Sequence, residues 1–468
     1  NWKRYLNQQI KPFVRGSVLE VGGGIGHNLE YFVNELVQRW TALEPDSSFA
    51  AQYRGRYNSA PLDIPVTIQA RVLSDLDCEQ YDTLIYADVL EHIEQDQAEV
   101  RLAMAALKPG GHLVIVVPAH NESLGLLRTL QSLRREVARE MSGCALTRIM
   151  VVADNCSDDT AAVACVAGVD VLERHDALRR GKGHALRWAF DAIDDAEWFI
   201  VIDADTDVEP GFLAVMRAAM TPDAAALQCR YGVRDALLSQ RNTLADMALG
   251  AWNVVRPRGR AALGLSAGIL GNGFALSRQA LQAVPYSADS IVEDVEYHHL
   301  LVRAGLRVRW VDAAQVRGDM PQADAAAGQQ RARWEGGRLR LLAEHAPGLL
   351  RTVCRGQWRL ADPLLDLLLL PLAWHVTLLL VAGMAGVAGM AVGPAAGADA
   401  LQALAALGLA TVAIHVGVAL ALIGAGRTHG RALLGVPSHI IWKLCLAGAT
   451  WRASRRHATW VRSARQAT

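Results

Sequence analysis

The stretch LKPGGHLVIVVPAHNESLG, Leu107 to Gly125, contains one apolar β run that two successive series of strand, turn and helix both require. A strand has two edges, and each edge pairs with a single neighbour. Leu113 to Val117 can close the series before it or open the series after it, but not both. The chain must therefore build two sheets, and the owner of this strand decides which is complete. Pro118 and the polar residues after it stand at the carboxyl end of the run, where ligands gather in parallel sheets. The run is assigned to the second series, whose pocket begins there.

The first series opens with GSVLEVGGGIGHNLEYF, Gly16 to Phe32: a β-branched strand, a glycine-rich turn and a helical pattern. Gly22, Gly24 and Gly26 let backbone approach a ligand, and a helix start offers free N–H groups. A second strand ends in ALEPD, placing Glu44 about 20 residues on, where a carboxylate can hold a ribose diol. VLSDLD with Asp75, YDTLIYADVLEHI and LKPGGHLVIVV follow. Over residues 1–111 this order resembles a class I S-adenosylmethionine-dependent methyltransferase. The resemblance implies an incomplete Rossmann-like sheet with S-adenosylmethionine as cofactor. Glu20, Gly22, Gly24 and Gly26 would lie against its methionine and ribose, Glu44 against the ribose hydroxyls and Asp75 against the adenine. Such folds carry seven strands and this segment stops short of them, so a truncated remnant and a working methyltransferase both stand as readings.

The second series runs through LVIVVPAHNES, TRIMVVADNCSDDT and EWFIVIDADTDVEPGFL, each an apolar β run with a polar turn behind it. This alternation is that of a parallel α/β sheet. Asp203, Asp205 and Asp207 follow a strongly apolar strand. Carboxylates so close repel one another unless a cation neutralises them, and oxygen-only ligands suit Mg²⁺ or Mn²⁺. GKGHALRWAF sets Lys182 between two glycines, suited to a diphosphate or a nucleobase edge. SIVEDVEYHHLL puts Glu293, Asp294 and Glu296 at a helix start. QQRARWEGGR supplies Gln330 and Arg333 for phosphate or sugar and Trp334 as a flat ring for a sugar face.

Together VVPAHNES, ADNCSDDT, GKGHAL, DAD, GNG, VED and Q-x-x-R-W, in this order, resemble a family 2 glycosyltransferase of the GT-A fold, of the membrane-attached kind related to cellulose, chitin and hyaluronan synthases. The resemblance covers residues 112–350. It implies a donor site of Pro118, Ala119, Glu122, Asp154, Lys182 and Asp203, with Asp203 and Asp205 at a divalent metal. Asp294 would be the general base, and Asn272, Gln330, Arg333 and Trp334 would meet the acceptor and the leaving diphosphate. The partners so implied are a nucleotide sugar, UDP-linked by preference, and a lipid-linked or polysaccharide acceptor. Inverting transfer is the leading function; the alternative is a bifunctional enzyme that also methylates the same glycan or lipid. Ala153 to Asn155 depart from the paired aspartates of many members, which leaves the nucleotide open.

Leu364 to Val392 and Leu401 to Gly426 lack Lys and Arg, and each is long enough to cross about 30 Å of hydrocarbon. The excess behind the 51% hydrophobic content lies mainly between Leu364 and Ile423, and the two stretches predict two transmembrane helices within residues 360–426. Gly383, Gly386 and Gly389 would admit close helix packing. Arginines before the first span and after the second place both flanks inside, on a bacterial-type inner (plasma) membrane with a cytoplasmic catalytic domain. Residues 427–468 read as an interfacial helix, with Trp442 and Lys443 at the headgroups, and a basic tail. The formal net charge of +0 gives no pull toward nucleic acid, and none is expected as partner. The seven cysteines show no metal spacing and read as small core residues of a reducing compartment. No signal-peptide pattern opens the chain, and a start at Asn1 is expected of a trimmed terminus.

Overall fold

The computed structural model describes residues 14–76, 81–87, 112–140, 147–288, 290–321, 323–392 and 396–455, with Lys11 and a few single positions between 87 and 112. Two compact units divide the chain: residues 1–112 with 138–146, and residues 113–137 with 147–468.

In the first unit, β1 (Gly16–Val21), β2 (Val37–Leu43), β3 (Val66–Gln69) and β4 (Thr83–Tyr86) form a four-stranded sheet ordered β3-β2-β1-β4. Its pairings are parallel. Parallel sheets need cover on both faces. Val18, Trp40 and Ala42 pack on one side with Leu29, Phe32 and Tyr53 from the helices His27–Phe32 and Ser47–Ser59. Their strand neighbours Leu19, Val21 and Leu43 pack on the other with Leu73 and Tyr81.

The second unit is built on eight strands. These are β5 (His112–Ala119), β6 (Thr147–Asp154), β7 (Asp170–Arg174), β8 (Ala196–Val201), β9 (Thr206–Val208), β10 (Ala226–Val233), β11 (Phe274–Ser277) and β12 (Val308–Gly318). Their order is β7-β6-β5-β8-β11-β10-β12-β9. β5, β6 and β7 are parallel, whereas β11 runs against both β8 and β10. β5 takes β6 on one edge and β8 on the other, where Ile202 N–H donates to Val116 C=O at 3.1 Å. Both edges of the contested strand are thus used in this sheet. Leu113, Ile115 and Val117 face one core, with Leu126, Leu130 and Phe212, while Val114 and Val116 face the other, with Leu186, Phe190 and Phe199.

The long helix Asp324–Cys354 carries Q-x-x-R-W and two glycines that set its neighbours. A Cβ on Gly336 would stand 2.6 Å from Thr450 O and 2.7 Å from Ala453 Cβ, so its absence lets the helix Ala447–Ala453 lie against this one. A Cβ on Gly337 would stand 3.0 Å from Val292, the residue before Glu293 and Asp294.

The helices Leu372–Val392 and Ala396–Leu422 contain the two segments long and apolar enough to cross a membrane, Leu372–Ala391 and Gly397–Leu422. Gly386 and Gly389 sit where an added Cβ would come within 3.1 Å of the partner helix, at Gln402 and Ala398. The first span begins at Leu372, later than the expected Leu364. Leu364 and Leu367 belong to a separate helix, Ala361–Leu368, and pack on Leu341, Leu349 and Val353. Asp366 pins that helix: it is buried and receives Arg256 at 2.6 Å and Arg260 at 3.0 Å, which hold its carboxyl well below the usual range despite burial.

After the spans, Arg427–Cys445 and Ala447–Ala453 form a pair bent by 48° that would count as a third span if continuous. Lys443, expected at the headgroups, points into the protein. It is buried and pairs with Glu335 at 2.6 Å, because its helix packs inward beside the long helix. Cys229 is buried, but Cys165, Cys354 and Cys445 are exposed, which departs from a core role for the cysteines. Cys78, Cys144 and the tail residues Arg456, Arg462 and Arg465 lie outside the described residues.

Candidate functional site

The second unit holds a cavity of about 810 Å³ at the carboxyl ends of β5, β6 and β8. Pro118, Ala119, Glu122 and Asp154 line one part of it, Lys182, Asp203 and Asp205 another, and Asp294, Gln330, Arg333 and Trp334 a third. Segments far apart in the chain converge here: Pro118, Asp154, Asp203 and Asp205 stand at or just past strand ends, Lys182 and Asp294 at helix starts, and Gln330, Arg333 and Trp334 within the long helix.

The first part is shaped by two asparagines in the left-handed region, Asn121 (φ 55) and Asn155 (φ 51), just past β5 and β6. Asn tolerates that conformation better than other side chains with a Cβ, which gives the ADN departure a local reason. Asn121 Oδ1 accepts from Ser157 N–H at 2.7 Å, and Asn155 Oδ1 accepts from Asp176 N–H at 2.9 Å, so the two turns are tied down. Asp154 is buried and accepts from Arg174 at 2.6 Å. That ion pair was not foreseen from the sequence.

At the centre, the Lys182 ammonium donates to Asp203 Oδ1 and to Gly271 C=O, and lies 4.0 Å from Glu293 Oε1. Burial alone would lower its pKa, but Asp203, Glu293 and Asp294 together raise it. Burial raises the carboxyl of Asp294. It also pushes Glu293 up to about 8, against the pull of Lys182 and helped by the charge on Asp294. One ammonium thus faces three acidic groups: pairing outweighs desolvation at Lys182, and desolvation outweighs pairing at Glu293 and Asp294. Glu293 lines the cavity too. The sequence showed it only as one acid of a helix-start cluster.

Asp205 lies beyond Asp203. Its carboxylate accepts from the Thr206 hydroxyl at 3.3 Å, and its carbonyl accepts from Arg234. Arg234 is buried and also contacts Asp207 at 3.2 Å and Asp319 at 2.8 Å. Nothing in the pattern of the chain singled it out. Asn272 does not line the cavity, in contrast to the acceptor contact expected of it. It is fully buried beneath the acidic turn, where Oδ1 accepts from Asp203 N–H at 3.1 Å and Nδ2 donates to Thr206 Oγ1 at 2.7 Å.

On the long helix, the Arg331 guanidinium lies 5.4 Å from the centre of the Trp334 ring. Glu335, Arg338, Pro371, Leu372 and Lys443 complete this wall, so residues from both sides of the apolar spans contribute to it.

Asp203 and Asp205 offer oxygen donors only. Among the described residues no three His, Cys, Asp or Glu side chains form a ready ion cage. That donor set fits Mg²⁺ or Mn²⁺ held by one or two carboxylates with the remaining positions filled by phosphate and water.

In the first unit, Glu20 is fully buried and accepts from Tyr53 Oη at 2.8 Å, Trp40 Nε1 at 3.2 Å and Asn28 Nδ2 at 3.1 Å. Burial raises its pKa. Glu44 accepts from Gly24 N–H at 2.8 Å and Asp46 N–H at 3.0 Å. Gly22, Gly24 and Gly26 all have positive φ, and the space where a Gly24 side chain would stand is open. Asp75 is exposed at the end of the short turn Leu73–Asp75.

Residues 198–423 match the family model described as glycosyl transferase family group 2, and residues 19–113 match a methyltransferase domain. No curated protein matches the chain. Among solved structures, glucosyl-3-phosphoglycerate synthase from Mycobacterium tuberculosis, in complex with Mn²⁺, uridine diphosphate and phosphoglyceric acid, is 23% identical over 46% of this chain and 72% of its own, with a TM-score of 0.32. Mannosyl-3-phosphoglycerate synthase from Rubrobacter xylanophilus is 20% identical over 53% of this chain and 76% of its own, with a TM-score of 0.38. At these TM-scores neither likeness bears on the site.

Proposed function

From a chain that carries a glycosyl transferase family group 2 domain over residues 198–423 and a methyltransferase domain over residues 19–113, we propose an inverting glycosyltransferase that moves a sugar from a nucleotide donor, UDP-linked by preference, to a lipid-linked or polysaccharide acceptor at a membrane. One observation carries this reading: Asp203, Asp205 and Asp294, from two separate segments, line a single cavity with Gln330, Arg333 and Trp334.

The donor's nucleoside would lie along Pro118, Ala119, Glu122 and Asp154, and its diphosphate toward Lys182 and Arg333. Asp205, with Asp203, would hold the divalent ion, which supplies positive charge to the departing diphosphate. Asp294 accepts the proton of the acceptor hydroxyl as its oxygen bonds to the anomeric carbon. The bond from that carbon to the diphosphate breaks in the same step, and the diphosphate leaves with the electron pair. Burial raises the Asp294 carboxyl toward the range in which a base is effective. Gln330 and Trp334 would orient the acceptor. Asn272 acts beneath the site as a positioning residue for the Asp203 turn. Supply of a sugar nucleotide agrees with a catalytic domain on the cytoplasmic side of a bacterial inner membrane.

Asp294→Asn tests the assignment. Removal of a general base is expected to cut turnover by about 10²–10⁴-fold, with donor affinity retained in an equilibrium titration. Near wild-type turnover would refute it.

The methyltransferase match, together with the open space beside Gly24, favours a second reading in which the chain also methylates its product. Calorimetric titration of the whole chain with S-adenosylmethionine decides it. Heat that disappears in Glu44→Ala supports bifunctionality, and no heat leaves a remnant.

A further inference from the structure

A second cavity, of about 400 Å³, adjoins the first and has a different chemistry. Leu339, Leu342, Leu367, Leu370, Trp374 and Trp451 supply half of the residues in its wall. The charged members of its lining are Glu335 and Arg338, and with Pro371 these also line the larger cavity. Both charges are already answered. Glu335 pairs with Lys443 at 2.6 Å, and Arg338 donates to the carbonyls of Asp366 and Leu369. The boundary between the cavities therefore does not demand a polar occupant.

The position of this cavity says what kind of molecule bridges the two. Leu369, Leu370, Pro371 and Trp374 lead into the apolar helix Leu372–Val392, one of the two segments long enough to cross a bilayer. Trp374 and Trp451, amphipathic rings of the sort that gather at membrane interfaces, stand at the same end. A volume in the range of about 300–1,000 Å³ is typical of small-molecule sites. A charged cavity that shares Glu335, Arg338 and Pro371 with an apolar one matches a ligand with a polar head and a hydrocarbon tail. A water-soluble glycan has nothing to place among these leucines.

We infer that the acceptor is a lipid, its hydrocarbon chain seated between Leu339, Leu342, Leu367 and Trp374 and its hydroxyl head extending past Glu335 and Arg338 toward Asp294. This rests on the glycosyltransferase reading and specifies its acceptor class. The reaction is the one given above: the lipid hydroxyl loses its proton to Asp294, its oxygen takes the anomeric carbon, and the diphosphate departs with the electron pair.

The test uses the full chain in vesicles of phosphatidylethanolamine and phosphatidylglycerol, with radiolabelled UDP- and GDP-sugars, a divalent metal and a long-chain primary alcohol bearing a diazirine. Leu339→Trp and Leu342→Trp each fill the apolar cavity and leave Asp203, Asp205 and Asp294, which lie outside its lining, unsubstituted. Release of nucleoside diphosphate to water reports the donor site and intact folding. Label in the organic phase reports lipid transfer. Each variant is expected to keep nucleotide release and to lose lipid labelling by about tenfold or more, since hydrocarbon burial accumulates with every methylene excluded. Irradiation should crosslink the alcohol to peptides holding Leu339 or Trp374. Undiminished lipid labelling in both filled variants overturns the inference. So does nucleotide release by the unsubstituted protein with no label in the organic phase, or a crosslink displaced by phospholipid alone, which marks a groove for bulk lipid. No nucleotide release from the unsubstituted protein with any donor overturns the underlying reading as well.

Discussion

Burial raises acidic groups in both units, but the two sheets surround them with different partners. In the four-stranded sheet Glu20 is enclosed by three donors, and Glu44 accepts from two backbone N–H groups. In the eight-stranded sheet Asp203, Glu293 and Asp294 share one ammonium beside a large cavity. The first arrangement stabilises a fold. The second stores electrostatic cost that a ligand with phosphate charge, a cation and a transferable proton can use. A motif written in glycines and acids thus marks where a ligand approaches, while the partners of those acids say how much unspent interaction remains.

The largest effect that could break this contrast is on stability. Glu20→Ala strands the Tyr53 hydroxyl, the Trp40 indole and the Asn28 amide, and each buried orphan costs about 1–3 kcal/mol. Thermal unfolding is expected to show an early transition, with hydrogen exchange locating it in β1 and β2. Asp294→Asn, which relieves crowding, should leave the unfolding temperature unchanged or higher. Equal losses in the two variants would erase the distinction. Tyr53→Phe is the smaller version: one hydrogen bond removed, expected to cost about 1 kcal/mol by denaturant titration.

The smallest effect is one of pH. Glu293 stands near 8 in the fold against an ordinary 4.5, so the folded chain holds a proton that the unfolded chain releases. The stability due to that proton is complete below 4.5 and is lost as pH climbs through about 8. Scanning calorimetry should show the melting temperature sliding down across that window, and Glu293→Gln should flatten the slide. A flat profile in the unsubstituted protein would mean that Lys182 neutralises the cluster fully.

Much of this was readable before any coordinates. Acids after apolar strands fall at strand ends, and that rule alone brings Asp154, Asp203 and Asp205 to one rim. The α/β architecture and the two apolar spans follow from periodicity and composition, whereas Arg333 and Trp334 stand out by the Q-x-x-R-W word and the resemblance it carries. What stayed hidden was partnership. No local pattern couples Asp154 to Arg174 or Lys182 to Asp203, and these pairings depend on how helices dock. Asn272 illustrates the limit: its neighbours are glycines with positive φ, Gly271 and Gly273, which bury the side chain under the turn it was expected to border. Lys443 reads as a headgroup contact by its flanking apolar residues, yet it turns inward because Glu335 waits there.

That last pairing has a practical corollary. Pro371, Leu372 and Lys443 belong to the wall of the acid-lined cavity. A version of the protein cut after Cys354 to make it easier to handle would lose that wall and leave the Glu335 carboxylate without its counter-ion. The hydrophobic end of this chain completes the wall of that cavity, so work on a trimmed fragment would be done on an unfinished cup.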